Sequence, residues 1–480
     1  MASGNGALGA LRDRLAELSD LEMLGRLAAW DQRVMMPPEG GPARGDQLAT
    51  LERIAHDLGT APELGEWLDA LDGAELGEVD GDIVRLARRD WDRARRIPQD
   101  LAGELERAAS AGQEAWQAAR AENDFGALAP ALARNVELAR AHAACFEGFS
   151  QPYDALLADY DFGLTSARIE AIFGDLADAL PPLISDAPRR PRLAIAPTEE
   201  AQRAAVELVL ARLGVTPAGW RIDVAAHPFS LAMGPKDSRL TTRYAEDDVF
   251  AVIAALHEFG HALYERQIPT ELARTNLGRG TSMSIHESQS KLWENHVGRN
   301  RAFGPVIAAP LQLDPKALYD DLTAVRPSCI RVSADQVTYT LHIVLRFELE
   351  LALVEGTLAV ADLPAAWNDG MKRLLGVDVP DDASGVLQDP HWASGAFGYF
   401  PSYALGCLIA AQVWEALEAD IGDQDDALGA GEVEAVKAWL AEHVHVHGRR
   451  LDTEPLVERA TGRGVVADPF IRHVAAIVEA

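Results

Sequence analysis

The sequence predicts a mainly α-helical protein of two lobes with one short β region. Most of the 480 residues show apolar side chains at helical spacing, with abundant Ala, Leu, Arg and Glu. Residues 224–244 are the exception, because their pattern is typical of short strands. The chain is long for one compact domain. We therefore expect a single unit in which a mostly helical lobe (1–223) and a second lobe (224–480) enclose a cleft.

Five segments before residue 150 carry the helical pattern. They are residues 8–30, 44–58, 80–95, 98–121 and 127–149. Residues 184–198 contain three prolines, which predicts an extended connection. Residues 420–431 are acidic and contain glycine, which predicts an exposed loop.

One helix is predicted to carry the chemistry. Apolar residues from Val249 onward lie at the spacing of one helical face. Asp247 and Asp248, directly before them, are typical of a helix N-terminus. The pattern continues to about Gln267, and Pro269 ends it.

His257, Glu258 and His261 lie on this predicted helix. Positions i and i+4 lie one above the other, so the two imidazoles can face one metal ion. Glu258 would lie beside them, able to take a proton from water. The alternative is a pair of hydrogen-bonded core histidines, but this interpretation does not explain the glutamate between them. Gly260 costs about 1 kcal/mol relative to Ala in a helix, which indicates that a backbone or a substrate passes close to it.

A third ligand is expected on a following helix, because a catalytic zinc usually has three protein ligands and one open position. Glu287 follows after enough residues for a loop and a returning antiparallel helix, which gives a His/His/Glu set. Two alternatives stay open. Ser284 and Glu287 fit a capping box, which would hold Glu287 at the start of its own helix. His286 is a rival ligand, but it points about 100° away around the helix.

The segments 257–261 and 284–295 resemble the Taq-type (thermostable) metallocarboxypeptidases, and seven further stretches do so too. They include His-Pro-Phe, Asp-x-Arg-x-Thr and Gly-x-x-Gln-Asp-x-His-Trp motifs, in the order expected for the family. In chain order, the seven are Trp30–Pro38, Tyr153–Leu157, Asp159–Tyr160, His227–Phe229, Asp237–Thr241, Gly385–Trp392 and Gly398–Gly406. The resemblance covers about residues 10–475 and leaves little room for another domain.

The resemblance implies a zincin-like helical peptidase, with two lobes around a deep groove and a small β-sheet beside the metal. Such enzymes remove C-terminal residues one at a time from peptides, with broad preference and poor tolerance of proline, and many are homodimers. One divalent metal per chain is implied, normally Zn²⁺, with Co²⁺ or another divalent ion as the alternative. Its ligands would be the residues matching His257, His261 and Glu287. Glu258 would be the general base.

Residues 330–336 depart from the family pattern, which is Ile-Arg-x-Glu-Ala-Asp-Glu. Ser333 and Gln336 stand where the family has two carboxylates. No predicted metal ligand is lost by this change. What it affects is the local ion pairing and the position of Arg331.

The predicted reaction needs groups other than metal ligands. A tetrahedral oxyanion needs hydrogen-bond donors, and His391, Tyr399 and Tyr403 are the candidates in the sequence; ordinary aromatic packing is the alternative. A terminal carboxylate suits the planar fork of arginine. Arg331 is the first candidate for that role and Arg239 the second. For either arginine, a structural salt bridge is the alternative.

Arg239 lies in a segment with strand-like alternation. On a strand, Asp237, Arg239 and Thr241 would share one face. If this strand lies at the edge of the sheet, it could pair with an extended peptide in the groove.

Composition excludes several classes of partner. The net charge of −30 has no basic stripe to offset it, which argues against nucleic-acid or anionic-membrane binding. No apolar run reaches the length of a membrane span, and the N-terminus lacks the order of a signal peptide. Cys145, Cys329 and Cys407 are far apart and flanked by apolar residues. They predict buried free thiols and a cytoplasmic location.

His443, His445 and His447 alternate and resemble a metal cluster superficially. On a helix, steps of two scatter the rings around the axis. The sequence here predicts a helix end that runs into Gly448, with cationic or capping histidines rather than a second metal site.

Two other functions fit parts of the sequence. A dipeptidase or oligo-endopeptidase could use the same metal site, although the motifs in 237–241 and 385–392 favour a carboxypeptidase. The second alternative is a catalytically silent peptide-binding protein. Ser333 and Gln336 leave room for it, but the intact Glu258 argues against it.

Overall fold

A computed structural model of the chain describes residues 4–188, 190, 192–193, 197–245 and 249–479. Helices make up most of it, as the sequence predicts, and three short strands form one sheet. The helices before the sheet are α1 (Gly4–Val34), α2 (Gly41–Gly59), α3 (Pro62–Ala70), α4 (Glu78–Arg96), α5 (Gln99–Glu122), α6 (Phe125–Ala143), α7 (Pro152–Leu157), α8 (Ser166–Asp186) and α9 (Glu199–Arg212).

Eleven described helices follow the sheet. They are α10 (Phe250–Gln267), α11 (Met283–Lys291), α12 (Gly304–Leu311), α13 (Pro315–Leu322), α14 (Tyr339–Glu355), α15 (Leu363–Leu375), α16 (Pro401–Ile421), α17 (Asp425–Ala430), α18 (Glu434–His443), α19 (Thr453–Thr461) and α20 (Asp468–Glu479). A π-helix (Leu292–Gly298) continues α11, and short 3₁₀ turns lie at Pro38–Gly40, Thr270–Leu272, Arg331–Ser333, Val360–Asp362 and His445–His447. Within the described ranges, none of these helices is long and apolar enough to cross a membrane.

The sheet has the strand order β1 (Trp220–Val224), β3 (Ser238–Thr242), β2 (Ser230–Ala232). β1 pairs with β3 in parallel and β2 pairs with β3 antiparallel. The prediction that the segment around Arg239 could be an edge strand was wrong, because β3 is the central strand. A strand's own residues do not reveal its neighbours, and β1 begins before the region in which we expected strands. The two edge strands of the sheet are β1 and β2.

Helix prediction succeeded where the apolar spacing was regular. α1, α2, α4 and α5 coincide with predicted segments to within four residues at each end. α6 ends at Ala143, so helix up to residue 149 was a wrong prediction; the chain turns there and passes Gly148 at φ 91°, which a helix does not adopt. α10 begins and ends as expected, but Asp247 and Asp248 lie outside the described residues.

Two connections also differ from the prediction. Residues 184–186 are the last turn of α8, so the described part of the connection begins at Ala187. Residues 420–431 are not a simple exposed loop, because α17 forms within them and buries Leu428. Burial of one apolar side chain stabilises a helix that is too short to form alone.

The buried apolar residues form one large core and one small cluster. The large core runs from Ala119 to Val478 and includes residues on both sides of position 223. The small cluster joins α1, α3 and α4 to Ile268, Leu272 and Leu277. The division into lobes at residue 223 therefore stays a prediction.

Three helices approach one another closely because two glycines allow it. A Cβ on Gly260 of α10 would lie 2.3 Å from the carbonyl oxygen of Gln289 in α11. A Cβ on Gly406 of α16 would lie 2.5 Å from Cγ of Glu287. The absence of side chains at these points seats α11 between α10 and α16. The close backbone predicted from Gly260 is the backbone of α11.

The three cysteines are free, as predicted. Cys407 is buried, whereas Cys145 and Cys329 are half-buried. The prediction of three buried thiols was therefore wrong for these two.

Candidate metal centre and active site

α10 and α11 bring two histidines and one glutamate together. Nε2 of His257 lies 3.8 Å from Oε2 of Glu287, and Nε2 of His261 lies 3.5 Å from the same oxygen. All three ligand atoms lie within 4.8 Å of one another. In the described part of the chain, this is the group of His, Cys, Asp and Glu side chains that could hold a metal ion.

The two alternatives for Glu287 are resolved by the start of α11. Ser282, not Ser284, caps this helix, and its Oγ accepts a hydrogen bond from Ile285 N at 3.3 Å. Glu287 is therefore one turn inside the helix and free of the cap. His286 points to the side, where it contacts His261 through Nδ1 rather than sharing the Glu287 position.

The carboxylate of Glu294 binds Nδ1 of His257, the ring nitrogen that does not face Glu287. Nδ1 of His257 lies 2.8 Å from Oε2 of Glu294, which the π-helix turns towards α10. Lys291 donates to the same oxygen at 2.8 Å, and Arg299 donates to Oε1 at 3.0 Å. Burial would raise the pKa of Glu294, but these cations and His257 hold it well below its ordinary value. An ionised Glu294 fixes a proton on Nδ1 and leaves Nε2 with its lone pair.

A chain of two hydrogen bonds, through His286 to Glu265, holds Nδ1 of His261. Its Nδ1 lies 2.7 Å from Nδ1 of His286, whose Nε2 lies 2.9 Å from Oε1 of Glu265. Burial would raise the pKa of Glu265, but His286 lowers it to about 2. The ionised Glu265 accepts the Nε2 proton of His286, which leaves Nδ1 of His286 as an acceptor. Nδ1 of His261 then donates to it, so Nε2 of His261 is also left with a lone pair.

Glu258 lies on the side of α10 that faces β2. It is 6% exposed, and burial raises its pKa to about 7, although His257 and the nearby Ser230 side chain act in the opposite direction. A carboxyl group with a pKa near neutrality can both accept and return a proton.

The carboxypeptidase Taq (M32) metallopeptidase family model matches residues 10–478. The chain belongs to this family. It is 39% identical to thermostable carboxypeptidase 1 of Thermus thermophilus, over 95% of each chain. Its structure is similar to that of Pyrococcus furiosus carboxypeptidase, with a TM-score of 0.96, 34% identity and coverage of 98% and 99%. The M32 carboxypeptidase of Deinococcus radiodurans gives a TM-score of 0.94, 34% identity and coverage of 99% and 100%.

Four of the other predicted site residues of this M32 chain form one cluster. Nε2 of His391 lies 3.4 Å from the hydroxyl of Tyr403, and the ring centres of Tyr399 and Tyr403 are 5.0 Å apart. The guanidinium carbon of Arg331 lies 5.1 Å from the Tyr403 ring centre. Burial raises the pKa of both tyrosines, and the charge of Glu287 acts in the same direction. The cluster therefore lies within electrostatic reach of the candidate metal ligands.

Burial lowers the pKa of His391 to about 4, so its imidazole is neutral near pH 7. Its Nδ1 is buried without a hydrogen-bond partner among the described residues. Nε2, the nitrogen near the Tyr403 hydroxyl, can therefore act as a hydrogen-bond donor or acceptor according to the tautomer.

Arg331 is buried and already ion-paired. Its Nε and Nη2 donate to Oδ1 of Asp389 at 3.2 and 2.8 Å. The other oxygen of Asp389 accepts from Arg346, which is fully buried. The departures from the family pattern do not remove this partner, because Ser333 is exposed and Gln336 faces His473. The structural salt bridge that was the alternative role of Arg331 is therefore present. Asp389 accepts hydrogen bonds from Nε and Nη2 of Arg331 but not from Nη1.

Arg239 has different neighbours. Its Nε and Nη2 donate to Asp237 at 3.0 and 2.8 Å, and its guanidinium lies 4.6 Å from the ring centre of Trp30. These contacts explain why Asp and Arg alternate in the motif. The carboxylate partner, Asp237, directly precedes β3, so the salt bridge given as the alternative role of Arg239 is present.

The alternating histidines do not form a second metal centre. His445 is fully buried between two amides, with Nδ1 2.6 Å from Gln267 and Nε2 2.9 Å from Gln289. Burial lowers its pKa to about 3, so the prediction of a cationic residue was wrong for His445. α18 does end at His443, as expected.

Sequence reasoning missed the residues that support the ligands. Glu294 follows Glu287 by seven residues, which places both on one helical face. Glu265 follows His261 by four residues on α10 in the same way. Both could have been found by extending the ligand spacing by one or two turns.

Proposed function

We propose that this M32 family member is a zinc carboxypeptidase that releases C-terminal amino acids from peptides one at a time. The supporting observation is the convergence of two Nε2 atoms and one carboxylate oxygen beside the buried Glu258. Two imidazoles and one carboxylate are a typical donor set for catalytic zinc, with Co²⁺ or another divalent ion as the alternative. Such an ion would lower the pKa of a bound water and polarise the scissile carbonyl.

Glu258 is the proposed general base. It accepts a proton from the attacking water and delivers it to the leaving amine. Burial supports both steps, because a pKa of about 7 lies close to the pH at which the proton must be exchanged. The nearby Ser230 side chain of β2 favours the ionised form of Glu258.

The aromatic cluster is proposed to stabilise the oxyanion. Tyr399 and Tyr403 keep their hydroxyl protons, because burial raises the pKa of both. His391 is neutral and can donate from one nitrogen. Donors that are already oriented stabilise developing charge without reorganisation.

Arg331 is the proposed ligand for the free terminal carboxylate. Asp389 holds two of its nitrogens and leaves Nη1 for a substrate. Arg239 is the weaker candidate, because Asp237 and Trp30 hold it on β3. A C-terminal carboxylate at Arg331 would place the last peptide bond near Glu258.

The remaining parts of the proposal concern partners and location. Peptides with a free C-terminus are the proposed substrates, and the net charge of −30 supports neither nucleic-acid nor anionic-membrane binding. Three free cysteines are compatible with a cytoplasmic location. A homodimer is proposed by analogy with the family, and light scattering of the purified protein tests it.

Mass spectrometry of a peptide digest tests the function. The wild-type enzyme is expected to give a C-terminal ladder that disappears with a chelator and returns with zinc. Glu258→Gln should keep its bound metal, measured by elemental analysis, and lose at least a thousandfold of the rate. A peptide with a C-terminal amide should resist cleavage. Cleavage of that peptide would favour the endopeptidase alternative, and an unchanged Glu258→Gln rate would contradict the base assignment.

A further inference from the structure

A cavity of about 580 Å³ lies where α1 faces the β2–β3 turn and the end of α10. Its apolar wall includes Leu24 and Leu27 of α1, which are 52% and 38% exposed. Ala232 of β2 and Glu265 of α10 line the opposite side. Exposed leucines inside a concave surface favour an apolar ligand.

The cavity adjoins the candidate metal centre. Glu265, in its wall, is hydrogen-bonded to His286, which contacts His261. β2 also connects the two places, because the Ser230 side chain lies beside Glu258 and the same strand reaches the cavity at Ala232.

No described strand pairs with the outer edge of β2 along this route. Its hydrogen bonds to β3 involve alternate residues, with Thr241 N donating to Phe229 O at 2.9 Å and Met233 N donating to Asp237 O at 2.9 Å. In an antiparallel pair, the residues between them turn their N–H and C=O groups outward. Ser230 and Ala232 are these residues. The outward carbonyl of Ala232 accepts a hydrogen bond from Nη1 of Arg26 at 3.5 Å, so a peptide that pairs at Ala232 would replace this contact.

The distance along β2 between Ser230 and Ala232 determines which residue of a bound peptide lies at the cavity. Two strand residues span about 6.8 Å. If the residue that contributes the scissile carbonyl pairs at Ser230 beside Glu258, the residue two further upstream lies beside Ala232. This is the third residue before the scissile bond, which is the fourth from the C-terminus.

The charges in the cavity wall are already paired. Because these groups have partners, an apolar side chain can enter without separating a free charge from water. The pairs are Asp20 with Arg274, Arg26 with Glu22, Asp237 with Arg239, and Glu265 with His286.

We propose that this cavity binds an apolar side chain of the peptide substrate, at the fourth residue from the C-terminus. The inference rests on the proposed carboxypeptidase function and adds a preference upstream of the scissile bond. Peptide pairing with β2 supplies the register, and Leu24 and Leu27 supply the selectivity.

Initial rates of release of the last residue test this subsite. The probes are Gly-Leu-Ala-Ala-Ala and Gly-Ser-Ala-Ala-Ala. Each rate is divided by the rate of the same variant on acetyl-Ala-Ala, a substrate too short to reach the cavity. The wild type should prefer the leucine peptide about tenfold in kcat/KM. The double variant Leu24→Ser/Leu27→Ser should reduce this ratio to about one.

The matched control is Leu208→Ser on α9, where an equally exposed leucine (42%) lies outside the cavity. It should keep the wild-type ratio. A wild type without a leucine preference, or a double variant that retains it, would overturn the proposal.

A separate measurement distinguishes failure of the subsite from failure of the proposed function. Calorimetry measures binding of the two peptides to Glu258→Gln, which does not depend on turnover. The leucine peptide should bind about tenfold more tightly, and the difference should disappear when Leu24 and Leu27 are also replaced. Absence of turnover on acetyl-Ala-Ala with this binding difference intact would count against the proposed function alone. Equal binding of both peptides would overturn the subsite.

Discussion

Glu294 fixes the tautomer of His257 and is itself held by two cations. Lys291 and Arg299 together occupy both of its oxygens. This arrangement has a cost, since Lys291 is buried and the charged or polar groups of His257, Glu294 and Arg299 are largely removed from water beside it. The benefit is a preset imidazole, whose lone pair needs no reorientation when a metal ion arrives.

Replacing Glu294 with Gln should weaken zinc binding by about 10- to 100-fold, because an amide cannot anchor the Nδ1 proton as strongly. Competition with a chromophoric chelator measures the affinity. Glu415→Gln on the exposed face of α16 is the matched control and should bind zinc as the wild type does. Equal affinities in both variants would show that Glu294 serves the fold and not the metal.

At the scale of elements, the loop that carries His391 and Tyr399 is held from behind by α14. Glu350 of α14 accepts a hydrogen bond from Trp392 Nε1 at 2.9 Å and another from Gly398 N. These two donors stand near the two ends of the loop. A fully buried carboxylate therefore sets the position of the aromatic cluster without touching a substrate.

Glu350→Gln should lower kcat/KM about tenfold or more and also lower the thermal midpoint, because its amide nitrogen cannot accept the second hydrogen bond and leaves a buried donor unpaired. The control is Glu348→Gln, two residues away on the same helix, where the half-exposed carboxylate binds Arg373. This control should keep both values. Steady-state kinetics together with calorimetry measure them, and a drop in stability without any change in kcat/KM would exclude a positioning role.

The elements that sequence could predict are those with their own periodic signal. α10 and its histidines follow from apolar spacing and from the i, i+4 geometry, and Gly260 correctly indicated a close backbone. The central position of β3 and the helix within 420–431 depend on partners distant in sequence, so local pattern could not give them. Arg346 was missed for the same reason, since its partner Asp389 lies 43 residues away.

At the scale of the whole molecule, the fold keeps several histidines buried and neutral. Burial lowers the pKa of His342 and His445 to about 3 and of His473 to about 4, and that of His296 falls well below its ordinary value. His296 and His473 pack against each other with ring centres 4.3 Å apart, whereas His445 lies between Gln267 and Gln289. In each case the unfolded chain binds a proton more readily than the folded one does, so their effects on stability act together.

The sign of the pH dependence follows from these shifts. A histidine whose folded pKa lies below 6.5 contributes stability that is complete above pH 6.5 and is lost as the pH falls towards the folded value. At pH 5, His342, His445 and His473 should each lower the free energy of unfolding by about 2 kcal/mol relative to its value above pH 6.5. His473 is a suitable probe, because it has a single long hydrogen bond, to Gln336 at 3.3 Å. Its ring centre lies 4.3 Å from that of His296.

His473→Phe should therefore reduce the loss of unfolding free energy between pH 7.5 and pH 5 by about 2 kcal/mol, because phenylalanine fills the same space and binds no proton. Urea titrations at the two pH values measure the difference, whatever the variant does to stability at either one. His56→Phe on the exposed face of α2 is the matched control and should leave the difference unchanged. If His473→Phe loses as much stability on acidification as the wild type, the neutral state of the buried ring is not what couples this fold to pH.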